Sequence, residues 1–454
     1  MDTKKLRQKI LDLAIHGKLV LQDPNDEPAS VLLERIKAEK ELLIKEGKIK
    51  RSKKTAKTSD TPHYENVPFE VPDGWKSVPV SELFCLNPKS EITDDTSVGF
   101  IPMACVNDGF SGNHQFEKRI WKEVKKGYCH FQNGDIGIAK ISPCFENLKS
   151  TIFQNLPNNY GAGTTELVIL RPLNIHAKFY LYLFKSQWYI SEGTKYFKGV
   201  VGQQRVHKGI FTDLQIPLPP LPEQYRIVAD IEKWFALIDQ IEQGKADLQT
   251  AIKQTKSKIL DLAIHGKLVP QDPNDEPAIE LLKRIHPDFI PCDNGHYENL
   301  PDGWGVCRLE DIVDYEQPTA YIVNSTSYND SYPIPVLTAG KSFIIGYTNE
   351  VKGIYSQLPC IILDDFTTDS KFVDFPFKVK SSAMKILQVR KDVEIEYVAM
   401  FMNTTRLISD THKRYWISEY SKLTIPIPPK AEQKRIVDTV HTAFAKLDTI
   451  MESL

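Results

Sequence analysis

The sequence predicts an α+β protein in which two mixed α/β domains are separated by a pseudo-two-fold, antiparallel pair of long helices that resembles a coiled coil. Three observations predict this class: a long repeat, a second repeat at another offset, and a long apolar stripe between them. A chain of 454 residues is also too long for one compact core, so several domains are expected.

The first repeat links the start of the chain to its middle. Residues 9–36 read KILDLAIHGKLVLQDPNDEPASVLLERI, and residues 258–285 read KILDLAIHGKLVPQDPNDEPAIELLKRI without a gap. The stability of a helix and a turn does not require such fidelity. Asp26 and Asp275 are the predicted N-caps of the helix that follows the turn.

The second repeat links the middle to the end. Residues 216–241 read IPLPPLPEQYRIVADIEKWFALIDQI, and residues 425–450 read IPIPPKAEQKRIVDTVHTAFAKLDTI. The central segment therefore copies the tail followed by the head. We infer a duplication whose ends fall inside one copy of the repeat.

A long helix is predicted after the prolines that end at Pro222, since proline supplies no amide donor. Apolar residues recur at alternating spacings of four and three, which is typical of a helix packed along a partner helix. We expect about 40 residues spanning roughly 60 Å, with a C-cap at Gly266. The predicted partner is the equivalent helix built from tail and head, and separate packing of each helix on its own domain is the alternative. The predicted interface residues are Ile227, Ile231, Trp234, Ile238, Ile241, Leu248, Ile252, Ile436, Val440, Leu447 and Ile450.

The chain is predicted to divide into five segments. The two domains between the helices contain β-branched runs with turn punctuation, at 134–141, 165–172, 359–366 and 383–389, which favour strands. Short helices are expected near 177–185 and 393–404. The segments are an N-terminal helical region (1–57), a first domain (58–215), a central region with the long helix (216–290), a second domain (291–424) and a C-terminal helix (425–454).

Composition excludes several classes of protein. A net charge of −2 gives no general attraction to nucleic acid, so any DNA contact must use local charge. Seven scattered cysteines favour a reducing cytosol. No apolar run is long enough for a membrane span. No metal site is expected, because Cys292 and His296 are only two potential ligands.

Basic and amide residues lie at matching places in the two domains. Arg205 and Arg414 each precede the second repeat by eleven residues. Arginine can grip guanine or phosphate with its fork of donors, and glutamine can read adenine. The alternative is an ordinary polar surface. The candidate DNA contacts are Lys140, Lys195, Lys198, Gln203, Gln204, Arg205, Lys208, Lys371, Lys413, Arg414 and Tyr415.

Catalytic motifs are scarce. The proline-rich stretches lack the acidic or amide residue that an adenine methyltransferase needs before its prolines, and no Gly-x-Gly-x-x-Gly is present. Residues 339–342 imitate the end of a phosphate-binding loop, but Pro335 stands where its first glycine should be. Asp364–Lys371, read DDFTTDSK, could hold magnesium in a nuclease, which is the alternative function.

These motifs resemble the specificity subunit of type I restriction–modification systems. The resemblance is carried by PLPPLPEQ (217–224), PIPPKAEQ (426–433), the duplicated DLAIHGKLV block and GDIGIAKISPCFEN (134–147). It implies a non-catalytic, cytoplasmic subunit whose two target recognition domains each read half of a split DNA sequence, with the helices setting the gap.

The resemblance also implies partners. Two modification subunits, using S-adenosylmethionine, would dock around the helices, and restriction subunits would use ATP and magnesium. The chain itself would bind no cofactor. A nuclease or a scaffold without DNA contact are the competing classes.

Overall fold

A computed structural model describes residues 2–49, 69–200, 204–292, 297, 300–339, 342–407 and 414–454. The chain divides into two compact units, Met1–Gln243 and Gly244–Leu454. The boundary falls inside one long helix, at Gly244, where the sequence admitted a bend or a break; the helix continues through this residue.

The first unit contains a mixed α/β domain followed by the first part of the long helix. Its helices are α1 (Thr3–Ile15), α2 (Ala29–Lys45), α3 (Val80–Leu83), α4 (Trp121–Val124), α5 (Ala177–Phe184), α6 (Gln187–Thr194) and the start of α7 (Leu221–Ile264). Its strands are β1 (Lys76–Pro79), β2 (Phe84–Leu86), β3 (Ser97–Ile101), β4 (Glu117–Ile120), β5 (Cys129–Gln132), β6 (Ile136–Ala139), β7 (Ser150–Ile152), β8 (Tyr160–Gly163), β9 (Leu167–Pro172) and β10 (Gln215–Leu218).

Two four-stranded sheets form the first domain. One has the order β2-β9-β6-β7 and is antiparallel, and the other has the order β4-β3-β8-β5 with β3 and β8 parallel. Strand β6 reads IGIA and is buried throughout, which explains its unbroken run of small and apolar residues. Helix α5 covers β6 and β7.

The second unit begins with the rest of α7 and contains its own mixed domain. Its other helices are α8 (Ala278–Ile285), α9 (Leu309–Ile312), α10 (Ile395–Thr404) and α11 (Lys430–Ser453). Its strands are β11 (Gly305–Arg308), β12 (Val313–Glu316), β13 (Ile334–Leu337), β14 (Ile344–Thr348), β15 (Cys360–Asp364), β16 (Ser370–Val373), β17 (Lys378–Val379), β18 (Met384–Val389) and β19 (Thr424–Ile427).

The main sheet of the second domain repeats that of the first. Its order is β12-β18-β15-β16, again antiparallel, and a smaller sheet has the order β14-β13-β17. Helix α10 covers β15 and β16, as α5 covers β6 and β7. The four predicted strands and the two predicted short helices are confirmed as β6, β9, β15, β18, α5 and α10.

Each domain is closed by a pairing of its entry and exit strands. In the first unit β1 pairs with β10 in antiparallel register, Lys76 opposite Leu218. In the second unit β11 pairs with β19, Gly305 opposite Ile427. The chain therefore enters and leaves each domain at one place, beside the start of a long helix.

A buried carboxylate ties each of these helices to the segment that packs on it. Glu223, which is 1% exposed, accepts hydrogen bonds from Gln22 Nε2 at 3.0 Å and Trp75 Nε1 at 2.9 Å. Glu432, also 1% exposed, accepts from Gln271 Nε2 and Trp304 Nε1, both at 3.1 Å. We call each set a carboxylate node. The repeated Glu-Gln of the sequence is thus explained at its first position.

The glutamine of each Glu-Gln pair binds the domain instead. Gln224 accepts from the backbone N–H of His176 at 2.9 Å and donates to the Pro219 carbonyl at 2.9 Å. Gln433 accepts from Glu394 N–H at 2.7 Å and donates to the Pro428 carbonyl at 2.9 Å. Each helix start therefore holds both the domain before it and the repeated block that packs on it.

The repeated block ends its first helix as predicted and starts its second differently. Gly266 has a φ of +66° just beyond α7, and a Cβ there would lie 2.3 Å from Pro301, so the predicted glycine C-cap is confirmed. The predicted N-caps are wrong. Pro277 holds the N-cap position of α8, and Asp275 pairs with Arg435 at 2.6 Å instead. Asp26 likewise pairs with Arg226.

The long helix packs antiparallel to a terminal helix within each unit. In the first unit Arg7 of α1 bridges Asp239 and Glu242, while Gln22, further along the chain, meets Glu223. In the second unit Lys256 pairs with Asp448. Lys245, which precedes Lys256 in α7, donates a hydrogen bond to the carbonyl of Leu454, which follows Asp448. The two helices therefore run in opposite directions.

The predicted stripe is buried only in part. Ile227, Ile231, Ile238, Ile252, Ile436 and Val440 are buried, and Leu447 is half-buried. Trp234, Ile241, Leu248 and Ile450 are exposed, contrary to the expectation.

The first part of α7 packs on the first domain, and the side of the helix that faces this domain does not include Trp234. Phe235 is buried in place of Trp234, and its ring lies 5.6 Å from those of Phe110 and Tyr182. The buried positions then follow the 3.6-residue period of a helix on a domain rather than a heptad. The other three exposed residues lie near the ends of the partner helices, where α1 begins at Thr3 and α11 ends at Ser453.

Replacing Glu432 by Gln is expected to destabilise the second unit by about 1–3 kcal/mol. The glutamine would direct an N–H at a donor, and Gln271 cannot turn its amide without losing its 2.9 Å bond to the Gly266 carbonyl. Urea denaturation measures the loss. The control is Glu280→Gln, which removes an exposed pair with Lys283 and should change stability by less than about 0.5 kcal/mol. Equal stability of the two variants would contradict the node's role.

Candidate nucleic-acid interface

Residues 204–206 of the first candidate loop are held against the end of β6. The N–H of Val206 donates to the Lys140 carbonyl at 2.9 Å, and Ser142 N–H donates to the Gln204 carbonyl at 2.8 Å. Lys140 N–H in turn donates to the Glu166 carbonyl at 2.9 Å. The loop thus extends the β9–β6 ladder past its last strand residues.

Residues 414–416 of the second candidate loop are held in the same way against β15. Tyr415 N–H donates to the Asp365 carbonyl at 2.8 Å, and Asp365 N–H donates to the Ala383 carbonyl at 3.1 Å. Strand register makes the comparison unambiguous, since Ala139 faces Leu167 and Asp364 faces Met384. Lys140 therefore corresponds to Asp365, Glu166 to Ala383, and Arg205 to Arg414.

Acidic side chains from outside the first loop meet its cations. Arg205 donates from Nε and Nη2 to Glu166 at 3.0 and 2.8 Å. The hydrogen bond from Arg205 lowers the pKa of Glu166 below its ordinary value. Lys195 pairs with Glu192. The positive charge that the sequence showed in this loop is therefore partly balanced by carboxylates that sequence reasoning missed.

The second loop presents Arg414 and buries the residues after it. Arg414 is exposed, and its guanidinium carbon lies 5.8 Å from the centre of the Phe366 ring, within cation–π range. Tyr415 and Trp416 are each 1% exposed and pack in the core of the domain. The expectation that Tyr415 faces DNA is corrected: its ring supports the loop from inside.

A buried ion pair anchors the second loop. Asp365 Oδ1 accepts from the Trp416 N–H at 2.8 Å, and Asp365 Oδ2 lies 3.4 Å from Lys385 Nζ. Both charged side chains are 1% exposed, so neither charge has solvent to replace its partner. Sequence inspection found Asp365 only as a metal-ligand candidate, because Lys385 becomes its neighbour through strand pairing.

The acids of 364–371 hold structural partners. Asp364 accepts from Phe366 N–H at 2.9 Å and from the Thr367 hydroxyl at 2.7 Å, which closes the turn. Asp369 pairs with Arg406 at 2.6 Å. In the described part of the chain no three His, Cys, Asp or Glu side chains are grouped so that they could hold a metal ion.

The remaining candidates are distributed over both domains. Lys140 and Gln204 are half-buried, whereas Lys198, Lys208 and Lys371 are exposed. Gln203 and Lys413 lie outside the described residues. No helix among the described residues is long and apolar enough for a bilayer.

Family comparison decides the class of the protein. The family described as "Type I restriction modification DNA specificity domain" matches residues 72–250 and 301–454. The chain belongs to the type I restriction–modification DNA specificity family. It is a specificity subunit and not a catalytic one, so the nuclease alternative near Asp364–Lys371 is not supported.

Named relatives agree with this membership. The specificity subunit is 33% identical to the EcoAI specificity subunit of Escherichia coli, covering 99% of this chain and 89% of the relative. It is 41% identical to the EcoEI specificity subunit of the same organism over 68% of this chain and 62% of the relative.

Two solved structures share the fold of the specificity subunit. A chain from a structure of type I restriction–modification complex assembly and conformational transition has a TM-score of 0.64 at 17% identity, covering 85% of this chain and 94% of that one. The HsdS subunit of Thermoanaerobacter tengcongensis has a TM-score of 0.50 at 16% identity, covering 84% and 93%.

Replacing Asp365 by Asn is expected to destabilise the second unit by about 3–5 kcal/mol, because the buried Lys385 charge loses its counter-charge. Lys385→Met in the same chain should restore much of the loss, as it removes the uncompensated charge. Urea denaturation of the single and double variants measures both effects. A double variant less stable than Asp365→Asn alone would show that the pair does not anchor the loop.

Proposed function

We propose that this specificity subunit reads a split, asymmetric DNA sequence, with the domain at 58–215 reading one half and the domain at 291–424 the other. One observation carries the proposal: equivalent backbone positions hold Arg205 and Arg414, but Glu166 adjoins the first and Phe366 the second. A common frame with different neighbouring side chains suits two readers of different sequences.

The proposed DNA contacts are side chains at or near the two loops and the adjoining strand ends. Arginine and lysine can bind phosphate or guanine, and glutamine can bind adenine. Tyr415 is left out because it is buried. The proposed contacts are Lys140, Lys195, Lys198, Gln203, Gln204, Arg205, Lys208, Lys371, Lys413 and Arg414.

We further propose that the repeated blocks dock two modification subunits. Residues 23–25 and 272–274 both read DPN and are exposed in both copies, whereas Gln22 and Gln271 before them are already explained by the carboxylate nodes. Packing does not require identity at exposed positions, and two copies of one surface suit two copies of one partner. Exposed Lys18 and Lys267 adjoin these turns in the two copies.

The proposed complex supplies the chemistry that this chain lacks. The modification subunits would use S-adenosylmethionine to methylate adenine, and restriction subunits would use ATP and magnesium. The specificity subunit would bind DNA and these subunits, in the cytoplasm, without a cofactor of its own. Relatives named as specificity subunits of type I restriction enzymes support this assignment.

Exchanging residues 76–218 for the corresponding segment of a relative tests the reading role. Because β1 and β10 close this segment, the exchange leaves its junction strands paired. We expect methylome sequencing of cells that carry the chimera and its modification partner to show one altered half-site and one unchanged half-site. The matched exchange of residues 305–427 should alter the other half. An unchanged methylated sequence in both chimeras would contradict the proposal.

Charge reversal tests the docking surfaces. Lys18→Glu and Lys267→Glu should each weaken the binding of one modification subunit at least about tenfold, which corresponds to 1.4 kcal/mol, and the double variant should lose both. Native mass spectrometry without DNA reports the stoichiometry. The control Lys122→Glu makes the same change in charge at an exposed residue outside the repeats. Retention of two bound partners by the double variant would contradict docking at these turns.

A further inference from the structure

Arg205 is fixed by its backbone at the rim of the first domain. Its N–H donates to the Lys198 carbonyl at 2.8 Å, and its carbonyl accepts from the Lys198 N–H at 3.1 Å. On its other side it forms a bridge with Ile141 at the end of β6. The Arg205 side chain is 53% exposed. The backbone of Arg205 is therefore held by Lys198 on one side and by Ile141 on the other, while its side chain faces solvent.

Glu166 holds one edge of the Arg205 guanidinium. The carboxylate accepts one hydrogen bond from Nε at 3.0 Å and another from Nη2 at 2.8 Å. Two parallel bonds between planar groups restrict both the position and the plane of the arginine. Glu166 is itself fixed, since its N–H donates to Thr164 Oγ1 at 3.2 Å and its carbonyl accepts from Lys140.

The two hydrogen bonds to Glu166 leave a second pair of parallel N–H donors free on the Arg205 guanidinium. Nη1 keeps two N–H groups and Nη2 keeps one, and within the described part of the chain Nη1 meets no protein acceptor at hydrogen-bond distance. One N–H of each nitrogen points along the outer end of the group, side by side. Guanine presents O6 and N7 as two adjacent acceptors in the major groove, which matches such a fork.

The second domain shows that the fold does not need this carboxylate. Ala383 stands at the position equivalent to Glu166, and Arg414 lies near Phe366 instead. An exposed ion pair also adds little to stability. The backbone fold that the two domains share does not require a carboxylate at position 166, and neither does the stability of the first domain. The orientation of the Arg205 guanidinium does explain a carboxylate there.

We propose that Glu166 is a positioning residue that aims Arg205 at a guanine in one half of the DNA target. The inference rests on the proposed function, in that the first domain must read DNA. It adds that the base is a guanine, that Arg205 binds this base and that Glu166 orients Arg205.

The test uses the full complex of this chain with its modification subunits. Methylome sequencing defines the target, and each base pair of the two half-sites is then replaced in synthetic duplexes whose methylation rates are measured. Arg205→Ala should reduce the preference for one G·C pair in one half-site by about 5–150-fold. Glu166→Gln, which retains the arginine, should reduce the same preference by about fivefold or more, with thermal stability unchanged.

Glu192→Gln is the matched control, because it makes the same change in charge beside Lys195 of the same loop. It should leave every base preference unchanged. A preference within about twofold of wild type in Glu166→Gln, when Arg205→Ala relaxes it, would overturn the positioning role. A uniform loss over all duplexes in Arg205→Ala, with a shallower salt dependence, would identify a phosphate contact and also overturn the inference.

The outcome also separates this inference from the proposed function. If Arg205→Ala changes nothing while the exchange of residues 76–218 still alters one half-site, the first domain reads DNA through other residues and only the inference fails. If neither the variants nor the exchange alters the methylated sequence, the proposed function fails as well.

Discussion

A buried carboxylate at the start of each long helix is the constraint on which the rest of the structure depends. Glu223 and Glu432 are removed from solvent, so each must be satisfied by donors that come from elsewhere in its unit. One donor comes from the repeated block and the other from the tryptophan just before the domain's entry strand. The helix, the block and the domain therefore meet in one arrangement, and this arrangement occurs in both units.

Because the node fixes the ends of a domain, the middle of that domain is free to differ. The entry and exit strands pair with each other, and the main sheet between them keeps one strand order in both units. The two domains differ in the loops that leave these strands. The last residue of β6 begins the segment AKISP (139–143), and the last residue of β15 begins DDFTT (364–368). Rigid strands that present variable loops are a common way to hold recognition residues. The duplicated connectors and the diverged domains are two consequences of the same constraint.

The sequence predicted best what depends on local pattern or on copying. The repeats located both helix starts, the glycine after α7 and the equivalence of Arg205 and Arg414, since identical segments fold alike. It predicted less well what depends on neighbours brought in by folding. Trp234 fitted a heptad, but Phe235 meets Phe110 and Tyr182 in the domain core. Glu166 was missed because it is far from Arg205 in sequence, and strand pairing alone makes them neighbours.

One physical reason would explain both the near-neutral charge of the chain and the carboxylate beside Arg205 in a protein that distinguishes DNA sequences. Attraction to phosphate is independent of sequence, so extra positive charge strengthens binding to right and wrong DNA equally. A carboxylate next to a reading arginine removes some of that general attraction. It also fixes the direction in which the arginine's free donors point, and this benefits only a site with acceptors in the matching place. In the proposed reading role, the pairing of Arg205 with Glu166 would lower affinity for all DNA while it raises the difference between one sequence and another, and that difference is what a specificity subunit must supply.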